Sequence, residues 1–189
     1  MMDLTFKAFS IFCKDKPEAI LFLHTDPNDN AAVFNMVELA KRYKIANRIV
    51  FSGMTFFNGF DYKQMNEVYN LMDICTLSTS GEGFGIPTIE ASSCSIPVVI
   101  PNNTTGPELV NEEGKSGLLA ESAASITGTW SVERDIVDIN SLADCWNVLY
   151  YDKQKRETFG KVGRKKILKN YIWSKVNNKW NKLFEELKI

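Results

Sequence analysis

The chain has a single histidine, four cysteines, no long apolar run and no excess of either charge sign. Each scarcity excludes something. Cys13, Cys75, Cys94 and Cys145 are scattered without a C-x-x-C pair, so neither a disulfide framework nor a zinc site is expected, and no metal. Buried, reduced thiols are the better reading. The longest apolar runs, such as Ile20-Leu21-Phe22-Leu23 and Ile96-Pro97-Val98-Val99-Ile100, fall well short of the roughly 20 residues that a membrane span needs. Met1-Met2-Asp3-Leu4-Thr5-Phe6 lacks the basic-then-apolar form of a signal peptide. Lysine and arginine number 22 against 23 aspartates and glutamates, a net charge of -1, so nucleic acid is not an expected partner. With 189 residues, 44% hydrophobic and 24% charged, residues 1–189 are expected to form one globular domain, and a cytosolic location fits best.

What is present is an alternation of helix and strand patterns. Leu4 to Lys14 has a helical apolar face, and Ala19 to His24 after Lys16-Pro17 is a continuous apolar run of the kind found in strands covered on both faces. Asp26-Pro27-Asn28-Asp29 offers helix-start chemistry before Val33, Met36, Val37, Ala40 and Tyr43. Arg48 to Gly53, Asp73 to Ser78, Pro97 to Ile100 and Gly117 to Ala120 read as strands, with a helix through Met65, Val68, Tyr69 and Met72. Residues 121–135 lack periodicity and predict an irregular connection. Three helical segments follow, and Trp173 and Trp180 in the last are expected to pack into the core. Strands alternating with helices imply βαβ units and a Rossmann-like, doubly wound parallel sheet with helices on both faces. Such sheets bind ligands beyond the carboxyl ends of their strands.

One of those ends carries Ser80-Gly81-Glu82-Gly83-Phe84-Gly85-Ile86-Pro87. The glycines let the backbone take unusual conformations and approach a ligand closely. Pro87 suits the first turn of a helix, where its missing N–H is not needed. A helix start facing this loop is a natural phosphate site. Glu82 and Glu90 flank it, and carboxylates there suit neutral hydroxyls better than phosphate, as a sugar and a ribose would present. A nucleoside diphosphate sugar has that layout.

The string Glu82 to Glu90 resembles the E-x7-E motif of the large retaining glycosyltransferase family, group 1 or family 4, that includes sucrose synthases and many bacterial mannosyl- and glucosyltransferases. Arg48-Ile49-Val50-Phe51-Ser52-Gly53, Leu71-Met72-Asp73-Ile74, Gly106-Pro107-Glu108-Leu109-Val110 and Gly117-Leu118-Leu119 follow in the family's order, so the resemblance runs from about residue 4 to 185. It implies the C-terminal, donor-binding half of a GT-B fold. By it, Glu90 would bind the donor ribose and Glu82 would act at the transferred sugar. Main-chain groups of Gly83, Phe84, Gly85, Ile86 and Thr88 would line the sugar and diphosphate, and Met54 would lie against the base. No metal or other cofactor would be needed beyond the nucleotide-sugar donor; the acceptor could be a glycan, a lipid carrier or a protein.

Other readings are narrower. Gly114-Lys115-Ser116 is not a P-loop, because Leu109 stands where the earlier glycine belongs, and no dinucleotide fingerprint is complete. Lys161, Arg164, Lys165, Lys166 and Lys169 read first as a solvated helix face and second as peripheral contact with anionic lipid. His24 reads as a polar strand end and Glu108 as a helix-start residue. The resemblance also implies a first strand, with an arginine and a lysine for the diphosphate, that this chain does not carry; Lys7, Lys14 and Lys16 do not match them. It further implies an N-terminal acceptor domain. The chain alone is therefore expected to be inactive, with an unpaired strand edge inviting self-association. The competing reading is a non-catalytic nucleotide-binding or scaffold module of the same fold.

Overall fold

The computed structural model describes residues 1–29, 32–55, 58–111 and 114–187. Helix α1 (Met2–Phe12) ends in a 3-10 turn over Cys13–Asp15 and leads to strand β1 (Leu21–Leu23). Then come α2 (Met36–Arg42), β2 (Ile49–Phe51), α3 (Tyr62–Asn70), β3 (Cys75–Thr76), α4 (Ile86–Ser93), β4 (Val98–Pro101), α5 (Gly106–Asn111) and β5 (Gly117–Ala120). The α/β alternation expected from the residue pattern is therefore present.

Two starts differ from the pattern's suggestion or sharpen it. Helix α2 begins at Met36 and not near Asp29, because Asn35 is the cap and its side chain accepts the Glu38 N–H. Helix α3 begins with a reciprocal cap, in which Asp61 accepts from the Gln64 N–H and the Gln64 side chain accepts from the Asp61 N–H.

All pairings among β1 to β5 are parallel, but they form two fragments. Strand β1 pairs only with β2, Leu21 opposite Ile49, and the second fragment has the order β3-β4-β5, with Val99 between Thr76 and Leu118. Among the described residues no ladder joins β1 to β3. One core nonetheless spans both fragments. Phe6, Phe9 and Phe12 of α1 pack with Leu23, Val99 and Ala120 of the strands and with Leu142, Trp146 and Leu149 of α6 (Ile139–Tyr151). Phe9 and Phe12 meet the Trp146 ring edge-on at 6.4 and 5.7 Å. Fully burying side chains of this size stabilises by roughly 1.5–3 kcal/mol each. The opposite face of β3-β4-β5 is covered by Tyr69 of α3, Ala91 of α4 and Val110 of α5.

Residues 121–135 are not irregular. They form most of an antiparallel ribbon, β6 (Ser122–Thr127) against β7 (Glu133–Val137), with Ile126 opposite Arg134. Every residue of β6 is exposed. A strand with water on both faces needs no apolar alternation, which is why its sequence shows none. Two further helices, α7 (Lys153–Asn170) and α8 (Trp173–Leu187), close the chain. Trp173 and Trp180 do not enter the core: they are 79% and 53% exposed, and no residue of α8 is buried.

Candidate functional site

The glycine turn leaves the carboxyl end of β3 and enters α4. Gly85 stands just before the helix at φ 86° and ψ 50°, and a Cβ there would lie 3.0 Å from Leu109 Cδ1. Left-handed backbone and lack of space both select glycine. Pro87 occupies the first turn, and no side chain caps the helix start. Pro87 has no N–H, and the Thr88 N–H turns back to the Gly85 carbonyl at 3.0 Å, which leaves the Ile86 N–H and the positive dipole end for an external acceptor.

The loop after β4 faces this turn. Thr104 Oγ1 accepts the Glu82 N–H at 3.0 Å, and the Thr104 hydroxyl donates to Asn103 Oδ1 at 3.3 Å. Between the two loops lies a notch bordered by Thr79, Glu82, Gly85, Thr88, Asn103 and Thr104, among others. It encloses about 10 Å³, room for roughly one water, so a larger ligand lies over the notch and not within it. Asn103 Nδ2 is buried with no hydrogen-bond partner among the described residues. An unmet buried donor is costly, and a ligand acceptor would satisfy it.

Glu90 sits one turn into α4 with its side chain exposed. Its Oε2 accepts from the Tyr69 hydroxyl at 2.8 Å. Tyr69 is only 6% exposed; burial, then the hydrogen bond to Glu90 and its charge, pushes the phenol pKa well above the usual value. Tyr69 therefore stays a donor at physiological pH and fixes the carboxylate's orientation. Glu90 Oε1 makes no hydrogen bond among the described residues and remains open to a second hydroxyl. Burial, and after it the charge of Glu90, pushes the nearby Cys75 thiol up to about 12.

The residues expected from sequence thus separate into groups. Glu82, Gly85 and Thr88 border the notch. Gly83, Phe84 and Ile86 do not border it and are exposed, Phe84 and Ile86 at 47% and 59%, and Phe84 meets the Tyr171 ring at 6.0 Å. Glu90 stands one turn away, tied to α3 through Tyr69. Met54 lies half-buried beyond β2, in the other sheet fragment, and does not border the notch. Tyr69, Asn103 and Thr104 are additions. Tyr69 is hidden in sequence as one member of an apolar stripe, whereas Asn103 and Thr104 follow the carboxyl end of a strand, where such sheets bind ligands.

The other candidates serve the fold or the surface. Lys166 is 3% exposed and donates to the Glu108 and Leu109 carbonyls at 2.7 and 3.0 Å, so it is not part of a solvated face. Arg164 donates to the Ser93 carbonyl. His24 stacks on Phe60 with centroids 4.9 Å apart. All four cysteines are free thiols, and Cys94 and Cys145 are only partly buried. Among the described residues no three His, Cys, Asp or Glu groups gather as a metal site, and no helix is long and apolar enough to cross a membrane.

A family model described as glycosyl transferases group 1 matches residues 2–166. A capsular polysaccharide biosynthesis glycosyltransferase of Staphylococcus aureus, CapM, is 28% identical over 122 residues, covering 62% of this chain and 28% of that protein. Among solved structures, a sucrose-phosphate synthase from Thermosynechococcus elongatus superposes with a TM-score of 0.75 at 21% identity, covering 98% of this chain and 42% of the other. The Anabaena protein HepE, in complex with UDP and glucose, superposes with a TM-score of 0.72 at 19% identity, covering 96% and 44%. These likenesses place the fold with the C-terminal halves of GT-B proteins. The chain spans less than half the length of each of these three.

Proposed function

The chain belongs to the group 1 glycosyl transferases, and from that membership we propose that it is the donor-binding half of a retaining enzyme that moves a hexose from a nucleoside diphosphate sugar to an acceptor. In this reading the donor ribose lies against Glu90, which accepts its hydroxyls on the oxygen that Tyr69 leaves open. The diphosphate lies at the start of α4, against main-chain groups of Gly83, Phe84, Gly85, Ile86 and Thr88, with Met54 toward the base. Glu82 faces the transferred sugar. As the bond from the anomeric carbon to the diphosphate breaks, the electron pair leaves with the diphosphate, and the Glu82 carboxylate stabilises the positive charge growing on the sugar. Helix dipole and hydrogen-bond donors, with no metal, meet the leaving charge.

The observation that carries this reading is Glu90 itself: a carboxylate oriented by a buried phenol, one turn beyond an uncapped helix start. That HepE, which shares the fold, is found in complex with UDP and glucose supports a nucleotide-sugar donor. Transfer also requires an acceptor held against the donor in attack geometry. Since the chain matches less than half of its larger relatives, we expect it by itself to bind donor without transferring sugar.

Calorimetric titration with UDP-, GDP- and ADP-sugars tests the reading. One of them should bind, and Glu90→Ala should weaken that binding by roughly ten- to hundredfold, the loss of a hydrogen-bonded charge. An acceptor panel added to the same samples should yield no product. Unchanged affinity in Glu90→Ala would refute the site, and failure of every donor to bind would favour a non-catalytic scaffold of the same fold.

A further inference from the structure

The β6–β7 ribbon is exposed along β6, yet it does not hang free. At its base Val137 is buried and the Asp138 N–H donates to the Glu121 carbonyl at 2.8 Å. Midway along β7, the Asp135 N–H donates to the Ser80 carbonyl at 3.1 Å, which ties the ribbon to the glycine turn. That bond sets the neighbouring residue, Arg134, over Gly81. A Cβ at Gly81 would stand 3.0 Å from Arg134 Nη1 and 3.2 Å from Thr104 Cγ2, so the guanidinium occupies space that only glycine leaves.

The charge of Arg134 is uncommitted. Glu133, its neighbour, has both carboxylate oxygens engaged within the ribbon by Ser125 and Thr127, at 3.0 and 2.6 Å. Neither Glu82 nor Asp135 forms an ion pair with Arg134 among the described residues. The guanidinium therefore stands over Gly81 and near Thr104, which borders the notch; there Asn103 Nδ2 is a buried donor with no partner among the described residues, and α4 begins without a side-chain cap. The Arg134 guanidinium and Asn103 Nδ2 are thus two side-chain donors near the glycine turn with no acceptor among the described residues. A planar guanidinium has five N–H donors and no acceptor, and matches phosphate oxygens in pairs, whereas neutral hydroxyls are already served by the two glutamates.

We propose that Arg134 is a cation for the donor's diphosphate, delivered to the glycine turn by the ribbon. The proposal rests on the donor-site reading above and adds a residue to it. It explains why Gly81 and Ser80, which precede the helix by several residues, are held by a second element. It also explains how a site flanked by two carboxylates holds a doubly negative group.

The test compares wild-type chain, Arg134→Ala and Arg134→Lys in calorimetric titrations with uridine, guanosine and adenosine and with their mono- and diphosphates, at two salt concentrations. For the base that binds, Arg134→Ala should lose roughly ten- to hundredfold in diphosphate affinity. Its nucleoside affinity should be unchanged and its salt dependence shallower, and Arg134→Lys should recover part of the loss. Because Arg134 is exposed, the variants should keep the wild-type circular dichroism and melting temperature. Unchanged diphosphate affinity in Arg134→Ala, while Glu90→Ala still weakens binding, would overturn the proposal and leave the donor site standing. Equal losses for nucleoside and diphosphate would overturn it too, as a structural effect. No binding of any of these by wild-type chain would overturn the donor reading itself.

Discussion

Lys16 is a cation that the fold uses for itself. Its ammonium lies 2.6 Å from Asp15 Oδ1 and 3.0 Å from the Phe12 carbonyl, over the rings of Phe12, Tyr150 and Tyr151, with 3% of the residue exposed. Burial alone would lower its pKa, but the hydrogen bond and charge of Asp15, with Tyr151, outweigh it and hold the value above the ordinary 10.5. A raised folded pKa contributes stability that is whole below the unfolded value and is lost as pH rises through the folded one. Asp15, held below its ordinary 3.8 chiefly by the Lys16 hydrogen bond, behaves oppositely and loses its contribution as pH falls through its folded pKa. Lys16→Met should therefore cost about 1–2 kcal/mol at pH 7, a modest figure because Asp15 is 69% exposed. In urea unfolding between pH 8 and 12, the gap between wild type and variant should close above about 10.5. A gap independent of pH would show that packing alone, and not the charge, is lost. Lys16 was never a candidate for the diphosphate on sequence grounds, and its burial gives the physical reason.

At the scale of elements, the site depends on how closely α7 lies against α4. A Cβ at Gly160 would fall 1.9 Å from the Ser95 carbonyl oxygen, and one at Gly163 would fall 3.2 Å from Ser92 Oγ. The α7 backbone is thus pressed onto the end of the helix that carries Thr88 and Glu90. Gly160→Ala must push the two helices apart, at a cost of about 1–3 kcal/mol, the usual range for overpacking. Thermal unfolding should report that loss, and donor affinity should fall with it as α4 shifts. Lys161→Ala, on the exposed side of the same turn, should leave both within error. The existence of α7 is legible from Phe159, Val162 and Ile167 at helical spacing, because burial imposes that period on the sequence. The glycine contact is not legible, since nothing in a single sequence says which face of a helix must come close to another backbone. The ribbon was hidden for the opposite reason: β6 buries nothing, so no burial period marks it. Arg134 was hidden with it. Glu82 and Glu90 could be read because the glycines and Pro87 around them have few structural uses other than a tight strand-to-helix turn.

For the whole molecule, the order of elements was readable and their assembly only partly so. Strands of two to four residues are recognisable as apolar runs, but which of them share hydrogen bonds depends on contacts far apart in the chain. Hence one continuous sheet was the expectation and two parallel fragments over a shared core are the result. Helix α8 makes the same point from outside. Trp173, Trp180, Leu183, Phe184 and Leu187 repeat at core-like spacing, yet all are at least 41% exposed. At its beginning Lys175 donates through its backbone to Ile172 and through Nζ to the Lys169 carbonyl. Stability follows from apolar area removed from water, and α8 removes little. Deleting residues 173–189 should therefore change unfolding free energy by less than about 1 kcal/mol, within the range of substitutions that touch no core. The urea dependence of unfolding should also stay nearly the same, because little surface buried in the fold is lost. Nucleotide binding should be unaffected, since no residue of α8 borders the notch. Loss of the cooperative transition in the shortened chain would show instead that the aromatic stripe is covered in solution and that the fold depends on its cover.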